Sequence, residues 1–362
     1  MKEFDVAKYL RKNPPLQLPV KEKFDHAVII PAYNELTHFA ATENSIRLAM
    51  KGVDAKIAVI AVINYPAGAD GKDSESLYNL IRVGVFPGVI PLFLPAISGG
   101  AGAARKAGMD AFIGTLEPCE MEKSVIFSID ADTLIEPDYF SEVLPQVLDR
   151  GGAASIGFSH QKAADGEHQR AIDRYEAYLT RYVDKLRYAG SPYAFFTVGS
   201  AFAVRCDAYL RSGGMKVREA GEDFYFLQSV AKSSWVFSIE KKLVHPSPRI
   251  SSRVPFGTGP AVAQLLRGEE LNEISDGAFA GLKKVLDSAG EKTLSSPENF
   301  LAKLPVSAAE FFLKEKFPAV WKKVLENLPD QPGVRKKAFH EWFDGLKTLR
   351  FLHFLDRFMK KI

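Results

Sequence analysis

Cysteine is scarce in this chain of 362 residues, which contains only Cys119 and Cys206. Two cysteines are too few for a disulfide framework, and they lack the close spacing of a structural zinc site. The scarcity excludes the small disulfide-rich secreted class of protein. We therefore expect a reducing compartment, the cytoplasm.

Long hydrophobic runs are also missing. No stretch approaches the ~20 apolar residues of a membrane-spanning helix. Residues 1–20 mix charges with three prolines, so they lack the apolar centre of a signal peptide. The net charge of +3 is too small to indicate a nucleic-acid partner. We expect a protein that is soluble, or at most peripheral to the inner face of a membrane.

The sequence does contain a regular alternation of apolar runs and amphipathic stretches. Segments of helical period, such as 39–50 and 101–113, separate five apolar runs at residues 27–30, 57–63, 89–94, 125–129 and 153–158. This alternation predicts an α/β protein with a mostly parallel central sheet flanked by helices.

The β-type runs end near residue 259, and helical segments broken by prolines follow. We therefore predict three parts: an N-terminal segment (1–25), an α/β domain (26–259) and a helical C-terminal region (260–362).

Two carboxylates, Asp130 and Asp132, directly follow the fourth apolar run. The carboxyl end of a strand is where an open α/β sheet binds its ligands. Carboxylates in this position can share a hard divalent cation whose other ligands are phosphate oxygens and water. A short Asp-x-Asp pattern also fits a helix cap, so its meaning depends on the motifs around it.

Three further motifs accompany the aspartates. Pro31-Ala32-Tyr33-Asn34-Glu35 ends the first apolar run, Gly221-Glu222-Asp223 opens a predicted helix, and His245 follows a predicted strand at 236–244. In this order, the motifs resemble those of family 2 glycosyltransferases of the GT-A fold, over roughly residues 26–256. The resemblance implies a GT-A-type sheet and a metal-dependent, inverting transfer of a hexose from a nucleotide diphosphate sugar to a hydroxyl acceptor.

The resemblance also implies a role for each candidate residue. Asp132 is the implied metal ligand, His245 completes the metal site, and Asp130 contacts the metal, its waters or the ribose. Since imidazole suits manganese better than magnesium, the expected cofactor is Mn²⁺, with Mg²⁺ as the alternative. Asp223, paired with Glu222, is the implied general base. The residues expected to bind the donor are Pro31, Ala32, Tyr33, Glu35, Asn64, Arg105, Asp130, Arg249 and Arg253.

Structural alternatives stay open for several of these residues. Tyr33 can be a core aromatic, Arg105 a surface charge, and His245 a histidine without a ligand. The pair Glu222-Asp223 can simply cap a helix. Asn64 stands where the family usually shows acidic residues, which leaves recognition of the base undetermined.

Alternative functions also stay open. They are a retaining glycosyltransferase, a nucleotidyltransferase of similar fold, and a catalytically silent protein that binds nucleotide sugars. The acceptor has no recognisable motif.

The carboxyl-terminal segment is basic and amphipathic. Residues 335–362 hold eight Lys or Arg against three Asp or Glu, and we predict one long helix there. Its apolar face can lie on an anionic membrane or pack within the protein. We predict packing, with burial of Phe339, Trp342, Phe343 and Leu346.

Overall fold

The structure is a computed structural model that describes residues 6–251, 257–329 and 331–360. The chain divides into two compact units, one formed by residues 1–176 and 195–269, the other by residues 177–194 and 270–362. The division thus falls after residue 269, whereas the sequence predicted it after residue 259. Residues 177–194 join the second unit because Leu186 and Ala189 lie in its hydrophobic core.

The first unit is built on one sheet of eight strands in the order β3-β2-β1-β4-β7-β6-β8-β5. The strands are β1 (His26–Ala32), β2 (Ile57–Pro66), β3 (Val89–Ile97), β4 (Val125–Ser128), β5 (Leu134–Ile135), β6 (Ala153–Phe158), β7 (Phe202–Arg205) and β8 (Val236–His245). Strands β1 to β4 pair in parallel, as do β6 and β8. Strand β7 runs antiparallel to β4 and β6, and β5 runs antiparallel to β8. The predicted α/β class, with its mostly parallel sheet, is confirmed.

Helices cover this sheet, which explains why its central strands are mostly apolar. Every residue of β1 is buried, as expected for a strand with helices on both faces. The first unit contains α1 (Val6–Lys12), α2 (Phe39–Met50), α3 (Lys72–Arg82), α4 (Gly100–Ile113), α5 (Tyr139–Arg150), the start of α6 (Gly166–Tyr188), α7 (Cys206–Arg211), α8 (Glu222–Ser233) and α9 (Thr258–Leu266).

The second unit is helical, as predicted for the carboxyl-terminal region. Its helices, besides the end of α6, are α10 (Asp276–Ser288), α11 (Pro297–Leu301), α12 (Val306–Lys314), α13 (Phe317–Asn327), α14 (Val334–Trp342) and α15 (Gly345–Met359). An aromatic cluster forms much of its core and includes Phe300, Phe312, Phe317, Trp321 and Phe339. None of the described helices is long and apolar enough to cross a membrane.

The prediction of one long carboxyl-terminal helix was wrong, because α14 and α15 are separate helices. The side chain of Asp344 accepts a hydrogen bond from the backbone N of Lys347 at 3.0 Å and thereby caps the start of α15. The prediction of burial holds fully for Phe339 and Phe343, whereas Trp342 and Leu346 are partly buried.

Candidate functional site

The two aspartates lie in a tight turn at the carboxyl end of β4. The backbone N of Thr133 donates to the carbonyl of Asp130 at 3.0 Å, which closes the turn. From α2, the Thr42 hydroxyl donates to the carbonyl of Ala131 at 2.9 Å. The side chain of Asp130 is 36% exposed and that of Asp132 is 16% exposed. The fold therefore presents both carboxylates at the ligand-binding edge of the sheet.

Arg105 links the first aspartate to the acidic motif of α8. Its guanidinium donates to one carboxylate oxygen of Asp130 and one of Glu222, and its Nε donates to the Ser128 hydroxyl at 3.1 Å. The side chain is almost fully buried. Burial alone would lower the pKa of Arg105, but Asp130 and Glu222 raise it above its ordinary value. Arg105 is therefore an interior counter-ion, and the surface-charge alternative is wrong.

Glycines near the start of α4 make this ion pair possible. A Cβ at Gly102 would lie 2.9 Å from the Cβ of Glu222 and 3.0 Å from the carbonyl oxygen of Arg218. At Gly99, with φ +90°, a Cβ would lie 2.2 Å from a methyl of Val217. The glycine-rich segment thus allows residues 217–222 to approach α4 closely, which brings Glu222 within reach of Arg105.

Asp223 lies in the first turn of α8, next to Glu222. One of its carboxylate oxygens accepts a hydrogen bond from the backbone N of Phe224 at 2.7 Å. Burial and the neighbouring charge of Glu222 raise the pKa of Asp223 to about 7, although Arg105 acts in the opposite direction. A carboxylate that titrates near neutral pH can take up and release a proton during a reaction, as a general base must.

Arg249, which follows β8, links the second aspartate to the loop after β1. Its Nε lies 2.8 Å from a carboxylate oxygen of Asp132, and its Nη2 donates to the buried carboxylate of Glu35. Its Nη1 lies 3.3 Å from Nδ1 of His38. Burial lowers the pKa of Arg249, but Glu35 and Asp132 outweigh this effect and raise it. Arg253, the other predicted arginine, lies outside the described residues.

His245 ends β8, where it is paired with Leu134 of β5. Its Nδ1 lies 2.9 Å from the carbonyl oxygen of Ser159, and its Nε2 lies 2.8 Å from a carboxylate oxygen of Glu136. The hydrogen bond to a carbonyl orients the ring, a common arrangement for metal-binding histidines. Glu136, however, already interacts with the nitrogen that would face a metal.

Gln161 fastens the two predicted metal-binding segments together. Its side-chain amide donates to the carbonyls of Asp132 and His245, both at 2.8 Å. Sequence reasoning missed Gln161 and Glu136. The available signal was their position, since each polar residue follows the end of a strand closely, β6 for Gln161 and β5 for Glu136.

The predicted nucleotide loop is only partly accessible. Pro31 and Ala32 are buried in β1, whereas Tyr33 is partly exposed just beyond it. Asn64 is buried, and its amide donates to the carbonyls of Ala32 at 3.3 Å and Val62 at 3.1 Å. The amide of Asn64 therefore connects the ends of β1 and β2 instead of projecting from the sheet edge.

The net charge of the site favours a divalent cation, but its described side chains are not arranged as a metal site. Within the described ranges, no three His, Cys, Asp or Glu side chains are arranged as a ligand group. Yet the two arginines interact with a larger number of carboxylates, namely Glu35, Asp130, Asp132, Glu222 and Asp223. Five carboxylates against two guanidinium groups leave an excess of three negative charges, or two when Asp223 is protonated. Carboxylate oxygens with excess negative charge are the kind of ligand that Mn²⁺ and Mg²⁺ prefer, although Asp132 contacts Arg249 and His245 contacts Glu136 in this structure.

Comparisons with known proteins reveal distant similarity only. No protein-family model matches the sequence, and no curated protein sequence matches it. Residues 1–349 of S. aureus TarS, solved in complex with UDP-GlcNAc, align with a TM-score of 0.46 and 12% identity over 83% of this chain and 90% of that one. Glucosyl-3-phosphoglycerate synthase from Mycobacterium tuberculosis, in complex with UDP, aligns with a TM-score of 0.35 and 11% identity over 85% and 88%. Such low sequence identities and TM-scores do not establish the function of this chain.

Proposed function

We propose that this chain is a metal-dependent, inverting glycosyltransferase that moves a hexose from a nucleotide diphosphate sugar to a hydroxyl acceptor. One observation carries the proposal. Arg105 joins the Asp130–Asp132 turn and the Glu222-Asp223 motif in a single, partly buried network at the edge of the sheet where open α/β sheets bind ligands. These are two of the motifs whose order resembles that of family 2 glycosyltransferases.

The proposed chemical step begins at Asp223. Its carboxylate removes the proton of the acceptor hydroxyl, and the hydroxyl oxygen attacks the anomeric carbon of the donor sugar. The bond from this carbon to the diphosphate oxygen breaks on the opposite side, so the configuration inverts. The raised pKa of Asp223 suits this role, and a positioned base typically contributes ~10²–10⁴-fold in rate.

The departing nucleotide diphosphate needs positive charge. A divalent cation bound at Asp132 would supply it as a Lewis acid, with Asp130 and His245 as its neighbours in the proposed site. The guanidinium of Arg249 suits phosphate oxygens, because its planar fork of donors matches their geometry. Tyr33, partly exposed beyond β1, is the side chain that we place beside the nucleotide base.

The first test is donor binding. Thermal-shift measurements with UDP, GDP, CDP, TDP and ADP, each with and without Mn²⁺, should identify one nucleotide that raises the melting temperature only when Mn²⁺ is present. Asp132→Ala should abolish this shift. The matched control is Asp138→Ala, because Asp138 is an exposed carboxylate paired with Lys241, and this variant should keep the shift.

The second test is transfer itself. Incubation with the corresponding sugar nucleotide should release the nucleotide diphosphate in a reaction that requires Mn²⁺ and Asp223. A chain that binds none of these nucleotides would contradict the proposal. Binding without any release or transfer would favour the catalytically silent alternative.

A further inference from the structure

Arg249 uses all three guanidinium nitrogens within the site. Nε contacts Asp132, Nη2 contacts Glu35, and Nη1 contacts His38. The two carboxylates belong to different loops, one after β4 and the other after β1. A single cationic side chain therefore holds together two loops that the proposed function assigns to the metal and to the nucleotide.

Arg249 contacts one carboxylate oxygen of Asp132, and its positive charge there opposes the binding of a metal cation to the same carboxylate. Arg249 carries one positive charge, whereas a divalent cation carries two and binds carboxylate oxygens at shorter distances. The excess of negative charge in the site favours the ion with the higher charge. A guanidinium released from Asp132 would be free to bind phosphate oxygens in two-pronged geometry.

We propose that Arg249 acts as a built-in competitor of the metal. It holds Asp132 until a divalent cation takes its place, and it then contacts the diphosphate of the donor. This inference rests on the proposed function and deepens it, since it states how the metal and the donor depend on one another. The cation makes Arg249 available, and the diphosphate keeps Arg249 away from Asp132.

This exchange predicts a reciprocal coupling between the two ligands. By linkage, a metal that improves diphosphate binding must be bound more tightly in the presence of diphosphate by the same factor. Direct contact between metal and phosphate gives part of this coupling in any such site. The part that depends on Arg249 should disappear when this side chain is removed.

The decisive measurement is the affinity of the full chain for Mn²⁺ alone, by calorimetry, without any nucleotide. Arg249→Gln removes the competitor, so it should bind Mn²⁺ roughly 5-fold or more tightly than the wild type, at the lower end of typical coupling factors. The same variant should bind the nucleotide diphosphate more weakly when Mn²⁺ is saturating. The Mn²⁺ affinity of Arg249→Lys should lie between those of the wild type and Arg249→Gln, because the single ammonium group of lysine cannot contact two carboxylates as the planar guanidinium does.

A matched control and a double variant complete the test. Arg267→Gln is the matched control, since Arg267 forms an exposed pair with Glu269, and it should leave both affinities unchanged. Arg249→Gln combined with Glu35→Gln avoids leaving a buried carboxylate without its arginine. It should retain the tighter Mn²⁺ binding. If the gain occurs in the single variant but vanishes in the double variant, Glu35 has become a ligand and the proposal is overturned.

The proposed exchange is also wrong if Arg249→Gln binds Mn²⁺ only as tightly as the wild type, or more weakly. This failure is distinct from a failure of the proposed function. If wild-type protein binds nucleotide diphosphate with Mn²⁺ while Arg249→Gln changes neither affinity, only the exchange is wrong. If the wild type binds no nucleotide diphosphate under any condition, the proposed function is wrong as well.

Discussion

Arg105 and Glu222 form a buried ion pair between α4 and the first residue of α8, across 117 positions of sequence. The same guanidinium also binds Asp130. Glu222 is thereby engaged as a structural partner. Burial and the charge of Glu222 raise the pKa of the neighbouring Asp223 to about 7. The ion pair of Glu222 gives a physical reason for the different roles that the resemblance implies for these two adjacent acidic residues.

Removal of Arg105 should strongly destabilise the first unit. Arg105→Met leaves two carboxylates without their shared counter-ion, and breaking a buried ion pair typically costs ~3–5 kcal/mol in the free energy of unfolding. Urea unfolding followed by circular dichroism would measure the loss. The double variant Arg105→Met with Glu222→Gln should recover part of it. A single variant with wild-type stability would show that the pair has no energetic role.

The raised pKa of Asp223 predicts a pH dependence of stability. Because this carboxyl binds its proton more tightly in the folded state than in the unfolded chain, its contribution to stability falls as the pH rises from about 4 to about 7. Asp223→Asn lacks this titration. The stability of the variant relative to wild type should therefore increase over that interval and stay constant above it. Unfolding midpoints measured from pH 4.5 to 8.5 would test the sign.

The same group should control the rate of transfer. Only the ionised carboxylate can accept a proton, so the turnover rate should fall as the pH drops below about 7. Asp223→Asn should keep donor binding and lose at least ~10²-fold in turnover. Retention of wild-type turnover would move the role of base away from Asp223 or favour a retaining mechanism.

A side chain at position 102 should lower the stability of the protein. In Gly102→Ala, the new methyl would press on the Cβ of Glu222 and the carbonyl of Arg218, and overpacking of this kind typically costs ~1–3 kcal/mol. The improved helix propensity of alanine offsets at most about 1 kcal/mol of that cost. We expect a lower melting temperature. Gly166→Ala is the control, since a Cβ there would meet its nearest neighbour at an ordinary 3.5 Å.

The carboxyl-terminal helices should stabilise the second unit through their aromatic core. Phe339 is completely buried and contacts Phe300, Phe312 and Trp321, so Phe339→Ala should cost ~3–5 kcal/mol. Leu313→Ala, at an exposed site, should change stability by less than about 0.5 kcal/mol. Truncation after Pro332 should destabilise the chain for the same reason.

A membrane-bound helix would behave differently. The truncated protein would then melt like the intact one, and the intact protein would sediment with anionic liposomes at physiological salt. These two results together would contradict the packing of the aromatic residues that the structure describes, and they would support peripheral membrane binding.

Local sequence patterns were sufficient for most of the fold. The apolar runs at 27–30, 57–63 and 125–129 became β1, β2 and β4, because burial on both faces requires apolar residues at nearly every position. The helix predicted at 39–50 has the same bounds in the structure. The break between α14 and α15 was missed, although its signal was local: Asp344 is a favourable N-cap residue directly before Gly345.

The strand ends also indicated where part of the candidate site would lie, since a carboxylate that follows a buried strand has to lie at the edge of the sheet. The sequence therefore determined where Asp130 and Asp132 would lie. It could not determine which charges pair there. Arg249 meets Glu35 across 214 positions, and Arg105 meets Glu222 across 117.

Such pairs leave no periodic trace in the sequence, because neither partner depends on the spacing of its neighbours along the chain. Each pair forms only when the fold brings distant loops and helices together, and the close approach at Gly102 buries the pair of Arg105 and Glu222. The same desolvation raises the pKa of Asp223. Residue types and strand ends were thus set by local sequence, whereas ion pairing and proton affinity depend on burial, which only the tertiary structure creates.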